Sequence, residues 1–308
     1  MTMRAIGALL ALFAFVAITA GQAWARHRPQ AVMGQTVRDL PSSHYRFERF
    51  VMDSADGERR WAVDLAIPRR EPPVGGFPAL WMLDGNAALM VFDAELLGAL
   101  ARAPRPPVLV FLGYDNDLRI DTPARTHDYT WPQRADDRGR GIGRGGGADV
   151  LLASIRQRIR PAVERRISLD PHGQTLWGHS FGGLFVLYAL MERAGEFSGY
   201  AAGSPSLWWA DGALATQSVR RFSRAREKPP VSVLLTVGGG GDPGSASDDA
   251  SAVFARRLSG AEGIELEYRV FPSLGHGPMF RASLLQALHR FAGIAERDMH
   301  SSAVEERP

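Results

Sequence analysis

Strand-length apolar runs alternate with helix-length segments along most of this chain, and that alternation limits the fold more than any other feature. Phe77–Leu83, Pro107–Gly113, Gln174–Gly178 and Val231–Val237 are such runs, and Ile264–Phe271 is a further strand. Ala87–Ala101, Asp149–Ile167, Gly182–Arg193, Asp248–Leu258 and Arg281–Ala295 have helical spacing. Strands apolar on both faces belong to a parallel sheet covered by helices on both sides. Ahead of them, Arg46–Met52 and Arg60–Ile67 flank the turn Asp53–Gly57 and read as a hairpin, hence an antiparallel edge. The expected architecture is α/β, a mostly parallel sheet with helices on both faces. The segment 114–147 shows no apolar periodicity and reads as a long loop.

Composition supports a full core and narrows the function. The chain is 45% hydrophobic and 22% charged, which excludes disordered and collagen-like classes. A net charge of +3 over 308 residues is no polycation, and outside the 114–147 segment no basic face suggests a nucleic-acid partner. Cysteine is absent, which removes disulfides, thiolate metal sites and a cysteine nucleophile. No metal-ligand cluster is visible, so neither metal nor cofactor is expected.

Residues 1–25 read as an export signal. Arg4 precedes the apolar run Ala5–Ile18, and Ala23-Trp24-Ala25 gives the small-x-small pattern of a cleavage site. Cleavage leaves residues 26–308 as a single domain without a stable membrane span, and the expected location is periplasmic. The charged tail 297–308 reads as disordered.

Gly178-His179-Ser180-Phe181-Gly182 matches G-x-S-x-G where an apolar strand meets an apolar helix, the context of a nucleophile elbow. Both glycines are expected where a crowded turn leaves no room for a Cβ. A serine nucleophile needs a base. His276 lies in Pro272–Pro278, between the last strand and the last helix, and so at the same sheet edge as the elbow. His179 is expected to point away from the nucleophile. Chain order places the acid after Val231–Val237, where Asp242 is the nearest carboxylate. Without it, a Ser–His pair could act alone. The oxyanion donors are expected to be the backbone N–H of Phe181 and one from Leu83-Asp84-Gly85-Asn86, at Asn86. Two G-x-G-x-x-G matches in glycine-rich stretches lack the context of a dinucleotide site.

Taken together these residues resemble the periplasmic enterobactin-type siderophore esterases. The similar stretches are Met82–Ala87, Leu176–Leu187, Ser204-Pro205-Ser206-Leu207 and Leu274-Gly275-His276-Gly277-Pro278-Met279-Phe280, with Arg125 and Asp128-Tyr129-Thr130 fitting less strictly. The resemblance implies an α/β-hydrolase fold, Ser180 as nucleophile, His276 as base and an ester or lactone substrate. Where it implies a glutamate after the strand Val231–Val237, this chain has Gly238. The 114–147 segment holds Arg119, Arg125, Arg134, Arg138, Arg140 and Arg144 beside Tyr129 and Trp131. Guanidinium groups with aromatic rings suit an anionic aromatic ligand such as a catecholate siderophore. Arg125, Tyr129 and Trp208 are therefore the expected substrate contacts. The alternatives are a carboxylesterase or acyl transferase of the same fold, or a siderophore-binding protein with weak catalysis.

Overall fold

Eight strands form one sheet in the order β1-β2-β4-β3-β5-β6-β7-β8 in the computed structural model, which describes residues 31–132, 144–214, 230–240 and 246–295. The strands are β1 Tyr45–Asp53, β2 Arg60–Pro68, β3 Phe77–Met82, β4 Val108–Gly113, β5 Leu169–His179, β6 Gly199–Gly203, β7 Val231–Gly238 and β8 Ile264–Phe271. β2 pairs antiparallel with both β1 and β4, and the remaining neighbours are parallel. This is the α/β-hydrolase architecture expected from the sequence. The expected signal segment 1–25, the tail 297–308 and Asp242 lie outside the described residues.

Three local expectations are corrected. The strand β6, Gly-Tyr-Ala-Ala-Gly, was not recognised because small residues carry little strand signal, yet all of it is buried. Ala87–Ala101 is two helices, α1 Gly85–Leu89 and α2 Ala94–Arg102, because the Asp93 carboxylate accepts the Leu96 N–H and starts a new helix. The 114–147 segment is not a plain loop, since it contains α3, Thr122–Tyr129. The Asp121 side chain caps that helix at Ala124 N–H, and proline stands in its first turn. Its buried residues are Arg125, Thr126, Asp128 and Tyr129, so apolar periodicity could not reveal it.

The remaining helices cover the sheet. In α4, Ala148–Ser154 runs through a π-helical turn, Ile155–Ile159, into Arg160–Glu164. α5 is Phe181–Glu192, α6 is Ala246–Ser259, and α7 is Met279–Ala287, extended by a π turn at Leu288–Ala292. Successive strand residues serve opposite faces. Val108, Val110 and Leu112 pack with α4 and α5 residues such as Ile155, Leu184 and Leu187, whereas Leu109 and Phe111 pack with Leu96, Leu100 and Leu284. The helix α5 is buried from Phe181 to Met191, which explains its apolar character on every side.

From β3 the chain steps outward to β4, whereas β6, β7 and β8 follow β5 in the other direction. β3 and β5 therefore flank the point where strand order reverses, the place where open α/β sheets build their sites outside the carboxyl ends. The loops carrying Asn86 and Ser180 leave from these two strands. Among the described residues no helix is long and apolar enough to cross a membrane.

Candidate active site

Ser180 joins β5 to α5 with φ 61 and ψ −117, a conformation that non-glycine residues adopt only under constraint. The constraint is visible. Ser180 N–H donates to the Gly203 carbonyl at 2.8 Å, and the Ser180 carbonyl accepts from Leu184 N–H at 2.9 Å and Ser206 N–H at 3.2 Å. A Cβ on Gly178 would stand 2.5 Å from the Gly182 backbone, so only glycine fits at that position. The matching expectation for Gly182 is corrected, since a Cβ there would meet nothing nearer than 3.5 Å.

The imidazole of His276 reaches the serine, with Nε2 lying 3.0 Å from Ser180 Oγ. Its loop is held by backbone contacts from the end of β7, where Gly239 N–H donates to Phe271 O at 2.9 Å and Gly240 N–H to Leu274 O at 3.0 Å. Desolvation of its imidazole and then the positive charge of Arg125 lower the His276 pKa below its ordinary value. Among the described residues no carboxylate hydrogen-bonds to His276.

His179 packs under this histidine, with ring centroids 4.7 Å apart, and its other side meets Phe280 edge-on at 5.5 Å. Burial, followed by repulsion from His276 and Arg125, lowers its pKa to about 3, so the ring is neutral.

The Asn86 side chain is fully engaged. Its amide donates to the carbonyls of Tyr114, Asn116 and Leu118, and its Oδ1 accepts from Tyr114 N–H. Only the backbone N–H of Asn86 is left for an oxyanion. Asn86 and Phe181 stand in the first turns of α1 and α5, where N–H groups have no intrahelical acceptor.

Arg125 and Tyr129, expected to contact substrate, are buried instead. Arg125 forms a two-pronged ion pair with Asp84, both contacts at 2.9 Å, and donates to the His179 carbonyl at 3.1 Å. Tyr129 Oη accepts from Asp84 N–H at 2.8 Å, and Asp84 itself is left-handed at φ 50. The physical reason is charge burial. A carboxylate at the sheet edge requires a cation and donors around it, and α3 supplies them. In the sequence Asp84 stands within the expected oxyanion loop with no role of its own, because no local signal marks its ion pair.

Trp208 is half-buried, with its ring 5.7 Å from that of Phe181 and 6.0 Å from that of Trp209. It alone of the expected substrate contacts is placed both near the elbow and partly open to solvent. Arg119 and Arg144 are exposed, while Arg134, Arg138, Arg140 and Asp242 lie outside the described residues. One residue close to the serine had no role assigned from sequence: Ser206 Oγ lies 3.2 Å from Ser180 Oγ. The Ser-Pro-Ser pattern carried no chemical signal that could have identified it. Among the described residues no group of histidines and carboxylates could hold a metal ion.

A strained serine at the carboxyl edge of such a sheet, with an imidazole in reach, defines a serine hydrolase of the α/β-hydrolase class. Within that class the chain belongs to the esterase family whose model, "Putative esterase", matches residues 54–291. It is 34% identical over 277 residues to the apo-salmochelin esterase of Escherichia coli O6:H1, covering 85% of this chain and 84% of that protein. It is 29% identical over 258 residues to the ferri-bacillibactin esterase BesA of Bacillus subtilis, covering 79% and 88%. Among solved structures, the enterobactin and salmochelin hydrolase IroE superposes with a TM-score of 0.71 at 33% identity, over 83% of this chain and 99% of that one.

Proposed function

We propose that this protein is an exported, periplasmic serine esterase that hydrolyses the ester bonds of a catecholate trilactone siderophore. The chemistry rests on the 3.0 Å contact between His276 Nε2 and Ser180 Oγ at the strained elbow. The substrate class rests on the relatives that match over most of both chains, which act on salmochelin and bacillibactin by their names. Export rests on the signal-like residues 1–25, leaving residues 26–308 as the working domain.

In this mechanism Ser180 Oγ attacks the ester carbonyl while its proton passes to His276 Nε2. The backbone N–H groups of Phe181 and Asn86 stabilise the oxyanion, and the protonated His276 returns the proton to the leaving alkoxide. Water then repeats the cycle on the acyl-enzyme. His276 acts as half of a pair, held by His179 and its loop, with Asp242 the candidate for a third member. Trp208 offers an aromatic surface to a catecholate ring.

The test is incubation of the protein from Arg26 onward with iron-free and ferric enterobactin, following products by liquid chromatography and mass detection. Ring-opened linear trimer is expected, with at least a thousandfold loss in Ser180→Ala. Reaction of Ser180 with a fluorophosphonate but no ring opening would keep the esterase and remove the siderophore.

A further inference from the structure

Among the described residues two side chains contact the oxygen of Ser180. His276 Nε2 approaches at 3.0 Å, and Ser206 Oγ at 3.2 Å. Ser206 is 4% exposed, and its backbone N–H donates to the Ser180 carbonyl at 3.2 Å, so backbone and side chain both address the same residue. The loop that presents it leaves β6 through Ser204, whose φ is 37. It is then fastened by the bonds from Ser204 N–H to Thr236 O at 2.7 Å and from Trp209 N–H to Ser206 O at 3.1 Å. A strained turn kept in place by these bonds is the mark of a side chain that must be aimed.

The direction of the Ser206 bond follows from proton counting. Ser180 has one hydroxyl proton, and attack on an ester requires that proton to point at His276 Nε2. Ser206 must then be the donor, with its O–H directed at a lone pair of Ser180 Oγ. We propose that Ser206 is a catalytic residue whose hydroxyl donates a hydrogen bond to Ser180 Oγ and so promotes its departure from the acyl-enzyme. The inference rests on the reading of Ser180 as nucleophile and His276 as base.

A donor at this position acts unequally on the two half-reactions. In acylation, Oγ spends a lone pair on the new bond to carbon and becomes a poorer acceptor, so the donor gives no assistance. In deacylation, His276 takes a proton from water, and the hydroxide oxygen bonds to the acyl carbon. The C–Oγ bond then breaks, its electron pair stays on Oγ, and His276 delivers its proton there. Ser206 keeps its own proton throughout and strengthens its bond as charge gathers on Oγ, which is stabilisation confined to the transition state.

The experiment compares wild type, Ser206→Ala, Ser206→Thr and Ser180→Ala on p-nitrophenyl acetate, with rapid-mixing kinetics and mass detection of acetylated protein. Ser206→Ala is expected to acylate no more slowly than wild type, to deacylate about tenfold more slowly, and to accumulate acetyl-enzyme. Ser206→Thr, which keeps the hydroxyl, is expected to restore turnover to within about threefold of wild type. Equal slowing of both steps in Ser206→Ala without acetyl-enzyme, or unchanged kinetics, would overturn the proposal. Ser180→Ala separates the two readings: nucleophile failure would appear there as surviving turnover, whatever Ser206 does.

Discussion

The backbone at Gly238 lies so close to Leu274 that a Cβ on the glycine would stand 2.2 Å from the Leu274 carbonyl oxygen. Leu274 lies two residues before His276 in the loop that follows β8, so the end of β7 and the His276 loop are packed backbone to backbone. The position where the family resemblance calls for a glutamate is occupied here by this contact. Gly238→Glu is therefore expected to supply no acid and to cost about 3 kcal/mol or more through overpacking. Urea unfolding and ester hydrolysis measure the two effects, and a stable variant with raised turnover would refute the packing argument.

As the proposed base, His276 would have to be neutral to accept the Ser180 proton, and desolvation followed by the charge of Arg125 lowers its pKa. The acid limb of kcat/KM for a p-nitrophenyl ester is expected to fall below the ordinary histidine value of 6.5. Arg125→Met removes the positive charge and is expected to move that limb upward. An acid limb above 6.5 in the wild type would show that neither desolvation nor Arg125 governs the His276 imidazole.

His179 is buried and neutral, with a folded-state pKa of about 3 against 6.5 for an unperturbed histidine. The unfolded chain takes up the proton first as pH falls, so this contribution to stability is complete above pH 6.5 and is lost progressively toward pH 3. Between pH 7 and pH 5 the wild type is expected to lose about 2 kcal/mol more than His179→Phe, which keeps the aromatic packing. Urea unfolding at the two pH values decides it, and identical losses would show that His179 is accessible to protons.

Arg125 and Asp84 form a buried pair that also supports the carbonyl of His179, next to Ser180. Arg125→Ala is expected to cost about 3–5 kcal/mol, because the Asp84 carboxylate is left buried without its cation. Asp84→Asn with Arg125→Met together should cost less than the sum of the single changes. Strict additivity in a thermal-unfolding cycle would mean that the pair is not coupled.

Much of the scaffold was legible from local patterns. Continuous apolar runs announced buried parallel strands, and the all-apolar segment after Ser180 announced the central helix α5, because each depends on which residues water must leave. Gly178 was legible for a similar reason, since the tight turn at the elbow admits no Cβ. Small-residue β6 and polar-cored α3 were not, because their burial is repaid by contacts from distant segments. In α3, Arg125 meets Asp84 and Asp128 meets Arg59 and Trp61, pairings that no local periodicity records.

By itself the sequence determined the fold class, the elbow and the two residues proposed to bring its chemistry, Ser180 and His276, which the fold places in contact. Only the tertiary structure decided that Arg125 and Tyr129 are buried supports, that His179 lies against His276, and that Ser206 touches Ser180. Turn sterics and hydrophobic periodicity act over a few residues and can be read along the chain. A hydrogen bond between side chains far apart in sequence exists only after the sheet has set the register that brings them together.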